Sequence, residues 1–145
     1  MQVGQVLRFD AAHPNGVCAR VMEKAPLAAE IYAHPERYDA SRLEHHTAVA
    51  LRELALEEVR RAYFPAYPSR LRCLYVSESL DDAQKWAALF IEWGRPTFQI
   101  VKLRVNGGRF IGDANNCFSP ALDRTENLRM AERYWRCAPN ASGAP

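Results

Sequence analysis

The sequence predicts an α+β domain in which a mixed or antiparallel (split) sheet carries packed helices. Two observations lead to this prediction. Amphipathic helical patterns flank the strand-like residues 71–77, and the strand-like residues 97–105 run into the hairpin dipeptide Asn106-Gly107. Helices interspersed with strands that are joined by a hairpin favour a mixed sheet with helices on its faces. We therefore expect the order strand, irregular region, helix, strand, helix, hairpin and helix.

Length and composition are those of one ordinary globular domain. The chain has 145 residues, of which 48% are hydrophobic and 25% are charged, and its net charge is +2. This balance is not that of a disordered or fibrous protein, and we expect a single domain at 1–137 with a flexible tail at 138–145. Neither a signal peptide nor an apolar run of ~20 residues is apparent, so a cytoplasmic protein without membrane contact is expected.

The first forty residues carry the weakest patterns of the chain. Residues 2–9 alternate loosely between apolar and polar side chains and predict a strand. The turn-forming residues 13–16 follow that strand. Two prolines interrupt residues 17–40, so at most a short helix is expected there.

The clearest helical pattern begins after residue 40. Ser41 is a favourable N-cap, and Glu44 stands three residues later, at the spacing of a capping box. Glu57 and Arg61 form an i,i+4 pair on the side of the helix that faces solvent. Pro65 ends the helix. The apolar residues share one face and are Leu51, Leu54, Ala55, Val59, Ala62 and Tyr63.

A strand and a second helix are predicted next. Residues 71–77 suit a pleated surface and predict a strand. Ser79 and Asp82 then open a helix that ends before Gly94. Its apolar face is wide, which predicts a well-buried helix. The residues of that face are Leu80, Ala83, Trp86, Ala87, Leu89, Phe90, Ile91 and Trp93.

The last third of the chain predicts a hairpin and a final helix. Apolar and basic residues alternate along 97–105, which is typical of a strand with one face buried. Asn106-Gly107 favours a tight turn, with residues 109–111 as the returning strand. Asp123 and Glu126 repeat the capping-box spacing and open a helix near 123–135.

The cysteines and histidines do not indicate a metal site. The four cysteines are scattered without a C-x-x-C pair, so we expect free thiols in a reducing compartment. His45 and His46 are adjacent, and neighbouring positions on a helix point about 100° apart, so they are expected on the helix surface rather than around one ion. No metal cofactor is expected.

Three local patterns stand together in the middle of the chain. They are YFPAYPSR at 63–70, LYVSESLDDAQKW at 74–86 and VNGGRFIGDAN at 105–115. Together they resemble a family of small uncharacterised bacterial domains that is similar to the ADP-ribosyltransferase fold. The resemblance covers about residues 50–136. It implies a split sheet that holds NAD in a cleft.

The resemblance also implies an activity and a set of site residues. The protein would transfer ADP-ribose from NAD to an unknown macromolecular target, or would hydrolyse NAD. Tyr75 would stack on the nicotinamide, and Glu78 would supply a carboxylate near the developing oxocarbenium ion. Arg70 would bind the diphosphate beside Ser69. The remaining cofactor contacts implied are Ser77, Asp113 and Asn115.

The sequence departs from that family's pattern in two places, and alternatives stay open. Neither Arg8 nor His13 stands in the context of the first-strand residue that holds the NAD ribose, and no Glu follows Trp135. One alternative is a catalytically inactive domain of the same fold that binds a protein or a nucleotide. Another alternative is a protein that contacts nucleic acid through Arg60, Arg61, Arg70 and Arg72. The partner is expected to be a protein or a nucleic acid.

Overall fold

The computed structural model describes residues 2–97 and 99–139 and is built from helices. The four α-helices of this part of the chain are α1 (Gly16–Ala33), α2 (His45–Tyr63), α3 (Leu80–Glu92) and α4 (Arg124–Trp135). Short 3-10 turns lie at Pro35–Arg37, Ala40–Arg42 and Ala114–Asn116. Most of the tail expected at 138–145 lies outside the described residues.

The expected sheet is not present in the described residues, so the prediction of an α+β, ADP-ribosyltransferase-like fold is wrong. The one β pairing found within 2–97 and 99–139 is an isolated bridge between Asp10 and His13. The strand-like stretches at 2–9, 71–77, 97–105 and 109–111 form no ladder where they are described. β-propensity records how a side chain packs against cross-strand neighbours, and it does not by itself supply those neighbours.

The chain divides into two compact units. The first unit contains the residues up to Cys73 and those from Gly108 onward, and it includes α1, α2 and α4. The second unit is Leu74–Gly107 and contains α3. The second unit is therefore an insertion in the sequence of the first.

Helix α2 lies at the centre of the first unit, with α1 and α4 both packed against it. Between α2 and α4, the indole Nε1 of Trp135 donates a hydrogen bond to the carbonyl oxygen of Leu56 at 2.8 Å, inside an apolar cluster. Burial of this cluster is the main stabilising contribution, because removing apolar surface from water is favourable. Its buried members are Ala55, Leu56, Val59, Phe118, Ala131, Tyr134 and Trp135.

Two smaller clusters join α1 to α2. One contains Val21, Ala50 and Leu71, and the other contains Ala28, Ile31 and Leu51.

A buried amide connects α4 to α1. The side chain of Asn127 is fully buried and donates to the hydroxyl of Tyr32 at 2.8 Å. It also bonds the backbone N–H and C=O of Ala121 at 2.7 and 2.9 Å. All three hydrogen bonds satisfy an amide that would otherwise be costly to bury.

Helix α1 is longer than the sequence suggested, since it continues through Pro26. The expectation of at most a short helix at 17–40 is therefore wrong. The side-chain oxygen of Asn15 caps the first turn by accepting from the N–H groups of Val17 and Cys18. A proline inside a helix removes one backbone hydrogen bond, and here the packing of Val21, Ala28 and Ile31 outweighs that loss.

Local capping signals located the other helices to within a few residues. Ser79 caps α3 and Asp123 caps α4, as their spacing predicts. Helix α2 begins at His45, and its cap is Glu44, whose carboxylate accepts from His46 N and Thr47 N. Ser41 instead lies in the preceding 3-10 turn. None of the helices in the described ranges has both the length and the apolar character needed to cross a membrane.

Candidate functional site

The structure distributes the site residues expected from the sequence over both units. Ser69 and Arg70 belong to the first unit, as do Asp113 and Asn115. The others, Tyr75, Ser77 and Glu78, belong to the second unit.

Arg70 forms a buried ion pair with a carboxylate that the sequence analysis did not single out. Its Nε and Nη2 donate to the two oxygens of Glu53 at 2.8 and 3.0 Å. The Glu53 side chain is only 2% exposed, so it depends on this two-point contact. Arg52 donates a further bond to Glu53 at 3.2 Å.

Tyr134 completes the surroundings of Arg70. The guanidinium Nη1 lies 2.7 Å from the tyrosine hydroxyl, and the guanidinium carbon lies 5.1 Å from the centre of the ring. Burial raises the pKa of Tyr134, and the nearby Arg70 counteracts part of that rise. The same Arg70 also lies 3.9 Å from the sulfur of Cys117. Arg70 thus joins α2 to α4.

One helical turn after Glu53, Glu57 forms a second cluster. Its carboxylate accepts from Arg60 at 2.9 and 3.0 Å, from Arg61 at 3.1 Å and from the hydroxyl of Ser69 at 2.8 Å. Burial alone would raise the pKa of Glu57, but these hydrogen bonds outweigh burial and hold its pKa below the ordinary 4.5. The predicted Glu57–Arg61 pair is confirmed, but its expected position on the solvent side is wrong for Glu57, whose side chain is 11% exposed.

Asn15 binds the same turn from the side of α1. Its amide nitrogen donates to the carbonyl oxygens of Arg70 and Cys73 at 2.7 and 2.9 Å. Its backbone N–H donates to the carbonyl oxygen of Leu71 at 3.0 Å. We call residues 69–73, with Asn15, Glu53, Glu57 and Tyr134, the polar hub. The hub holds residues 69–73, which come just before the second unit in the sequence, between α1, α2 and α4.

The polar hub is satisfied by hydrogen bonds within the first unit. Every buried side-chain nitrogen and oxygen in the described part of the chain has a hydrogen-bond partner. To bind a diphosphate, Arg70 would have to leave Glu53, and Ser69 would have to leave Glu57. Leaving a buried carboxylate unpaired costs several kcal/mol, on the order of 3–5. The hub is therefore built to hold structure together.

Asp113 and Asn115 form a local turn. One carboxylate oxygen of Asp113 accepts from the backbone N–H and the side-chain nitrogen of Asn115, both at 2.9 Å. This arrangement caps the short turn Ala114–Asn116 and is typical of Asp at such positions.

The basic patch considered for nucleic acid is largely neutralised. Arg60 and Arg61 both contact Glu57, and Arg70 contacts Glu53. No three of the His, Cys, Asp and Glu side chains described by the structure come together in a group that could hold a metal ion. All four cysteines are free thiols.

The second unit has a different character, because most of its large apolar side chains are exposed, although Phe90 is half-buried. No residue of α3 is buried, although all thirteen are described, so the expectation of a well-buried helix is wrong. Trp86 is 37% exposed and Trp93 is 58% exposed. Ring centroids lie 5.9 Å apart for Trp86 and Phe90 and 6.0 Å apart for Phe90 and Trp93. We call these three residues the aromatic stripe.

The predicted catalytic residues of this unit stand next to α3. Tyr75 is 50% exposed, Ser77 is half-buried and Glu78 is exposed. All three lie within the five residues that precede Leu80, the first residue of α3.

Two open grooves lie on the first unit. One, of about 340 Å³, runs between α2 and α4 and is lined by residues that include Val59, Tyr63 and Leu128. The other, of about 520 Å³, lies near Tyr32 and Leu122. Both have mixed apolar and charged walls, and neither contains a site residue expected from the sequence.

Sequence reasoning missed Glu53, Asn15 and Tyr134. A signal for Glu53 was present, because Glu53 and Glu57 follow the buried Ala50 at i+3 and i+7 on one stripe of α2. Asn15 stood in a predicted turn and was also a suitable helix cap. Nothing in the sequence connects Tyr134 with Arg70, which lies 64 residues away.

The comparisons with known proteins give one match. A family model described as "Protein of unknown function (DUF2441)" matches residues 1–144. The search of curated proteins found no match to the chain.

Proposed function

The chain belongs to the DUF2441 family, and from its own geometry we propose that it acts as a protein-binding module whose binding element is α3. The first unit serves as the scaffold in this proposal. Its buried polar groups are satisfied within the polar hub, which suits a part that holds its shape.

The observation that supports this function is the aromatic stripe. Trp86 and Phe90 lie at i and i+4 of α3, and Trp93 follows at i+7 as the C-cap of the helix. The ring contacts of Phe90 with both tryptophans join the three side chains into one row. Amphipathic helices that enter an apolar groove of a partner use anchors at this spacing. Tryptophan is also enriched among the residues that dominate binding energy at interfaces.

A matched pair of double variants of the full chain tests the proposal. Trp86→Ser/Trp93→Ser removes the stripe, whereas Leu80→Ser/Ile91→Ser removes two exposed apolar residues from a different side of α3. Each chain is immobilised and exposed to a lysate of the source cells. We expect the immobilised wild type and control variant to retain a protein from the lysate that the stripe variant does not retain.

That protein is then purified and titrated against each chain. Loss of two tryptophan anchors should weaken the dissociation constant about a hundredfold or more, while the control changes it little. Circular dichroism checks that both variants keep their helices. Equal binding by the wild type and the stripe variant, or no protein with this retention pattern, contradicts the proposal.

NAD handling remains a second candidate, supported by the sequence patterns at 63–70, 74–86 and 105–115. Incubation of the full chain with labelled NAD, alone and with lysate, should release nicotinamide or label a product. Tyr75→Ala is the informative variant, because the ring is half exposed and its loss should spare the fold. Absence of nicotinamide release and of labelled product removes this candidate, as does turnover that Tyr75→Ala leaves unchanged.

A further inference from the structure

Residues 99–105 are a second unusual feature of the second unit, in addition to the aromatic stripe. Residues 99–105 contain no helix, turn or bend, and the next bend in the chain is at Gly107. The apolar side chains of this segment are exposed, with Val105 64% exposed and Val101 37% exposed. A segment of this kind is a candidate for contact with another molecule.

The backbone of this segment also has no hydrogen-bond partner within the described part of the chain. No hydrogen bond between described residues involves a backbone N–H or C=O of 99–105. A stretch with unpaired backbone N–H and C=O groups can serve as a template for pairing with another extended chain. Pairing of this type supplies affinity through the main chain and specificity through alternate side chains.

Side chains alternate in type along the segment. Val101, Leu103 and Val105 occupy one set of alternate positions, and Lys102 and Arg104 occupy the other. A paired strand would therefore meet an apolar row on one face and a basic row on the opposite face.

The charge along this segment has one sign. From Trp93 to Gly107 the chain has three basic residues, Arg95, Lys102 and Arg104, and no Asp or Glu. The acidic residues of α3 are Asp81, Asp82 and Glu92, and Lys85 contacts the first two, at 2.7 and 3.9 Å. Among the described residues, none of these carboxylates forms an ion pair with Lys102 or Arg104. The basic row is thus left for an external acidic group.

We propose that residues 99–105 bind an extended acidic peptide segment by strand addition. This inference rests on the proposed function, since it names the chemistry and the binding mode of a second contact on the same unit. A peptide is favoured over a single-stranded nucleic acid because the apolar row needs an apolar cover and the backbone needs main-chain partners. Phosphates supply neither.

Synthetic peptides and the full chain test the inference. The probes are a labelled peptide of alternating Val and Glu, its counterpart of alternating Val and Lys, and an oligothymidylate. We expect the acidic peptide to bind, by fluorescence anisotropy, at least about tenfold more tightly than the basic one. Hydrogen exchange should show that the amides of 99–105 become protected when the acidic peptide is bound.

Two charge-reversal variants provide the control. Lys102→Glu/Arg104→Glu should weaken binding of the acidic peptide at least about tenfold and should create preference for the basic peptide. Arg20→Glu/Arg37→Glu makes the same change of net charge in the first unit and should alter binding less than about twofold.

The outcomes separate this inference from the proposed function. Equal binding of acidic and basic peptides, tighter binding of the oligothymidylate, or protection outside 99–105 overturns strand addition. The chain with Trp86→Ser/Trp93→Ser should still bind the acidic peptide. If stripe-dependent capture succeeds while no peptide binds, the inference fails and the proposed function stands.

Discussion

Glu53 is the residue on which the interior of the first unit most depends. Its carboxylate is almost completely buried, and Arg70 is its principal partner. Sequence reasoning singled out Arg70 and Ser69 but assigned them to a ligand, because a turn does not reveal which distant side chain will meet it. The pairing of Arg70 with Tyr134 arises only when α4 packs on α2. The sequence could therefore predict Arg70 and Ser69 as residues of the candidate site, but it could not predict which side chains they contact.

Removing Arg70 should destabilise the protein severely. Arg70→Ala leaves the buried Glu53 with a weaker partner, Arg52, and should cost about 3–5 kcal/mol of unfolding free energy. Urea unfolding followed by circular dichroism measures this. The control Arg61→Ala removes a pair whose arginine is 65% exposed and should cost less than about 1 kcal/mol. Similar losses for the two variants would show that Glu53 does not need Arg70.

Glu57 should make stability depend on pH. Because its folded pKa lies below the ordinary 4.5, its contribution is complete above the unfolded pKa and is lost as pH falls through the folded pKa. Glu57→Gln should therefore cost about 1–3 kcal/mol near neutral pH. The difference from wild type should shrink as the pH falls below about 4.5.

Urea unfolding at several pH values measures this dependence. Glu23→Gln, an exposed change on α1, is the control and should show no such trend. A difference between wild type and Glu57→Gln that stays constant down to strongly acidic pH would contradict the assignment.

At the scale of the element, helices were predictable where their ends carry local signals. Ser79 and Asp123 cap their helices by bonds to residues two or three positions away, so the pattern is complete within a few residues. Helix α1 was missed because Pro26 weighs against a helix locally, whereas its buried face forms only against α2. The strand predictions were wrong for a related reason. A ladder needs a partner strand, and the alternation of side chains in the sequence does not specify one.

Pro26 should be a weak point of α1. Pro26→Ala restores the backbone donor to the carbonyl four residues earlier, and Pro26 is exposed, so little packing is lost. We expect the variant to gain about 2 kcal/mol, seen as a higher melting temperature. Pro35→Ala, which changes the start of a 3-10 turn, should give no gain. Equal or lower stability of Pro26→Ala would show that the proline fits the helix without strain.

At the scale of the whole molecule, the two units divide their tasks. Among the described residues, the first unit contains the buried side chains and the polar hub, whereas the second presents a helix without a buried residue and a segment without backbone partners. Composition could indicate a globular chain, but it averages over both units and hides this division. A wide apolar face on α3 predicted burial because sequence alone does not tell whether a face meets the same chain or another molecule.

Limited proteolysis should reveal the division directly. Trypsin needs an accessible, unbonded stretch of backbone, so its first cuts should follow Lys102 and Arg104. Arginines within α2, such as Arg52 and Arg60, should be cut later. Mass spectrometry of the early fragments checks the order, and Lys102→Gln/Arg104→Gln should slow the first cleavage. First cuts inside α2 would contradict the description of the first unit as the more stable part.

The insertion of the second unit into the first affects synthesis on the ribosome. Helix α2 emerges before residues 74–107, and the helix that covers its apolar side, α4, emerges only after them. At about 5–20 residues per second, this leaves the α2 side that later meets Trp135 uncovered for roughly four to fourteen seconds. Arg70 follows Glu53 closely, so their ion pair can form during that wait. The nascent chain is therefore expected to be most open to chaperones in this interval.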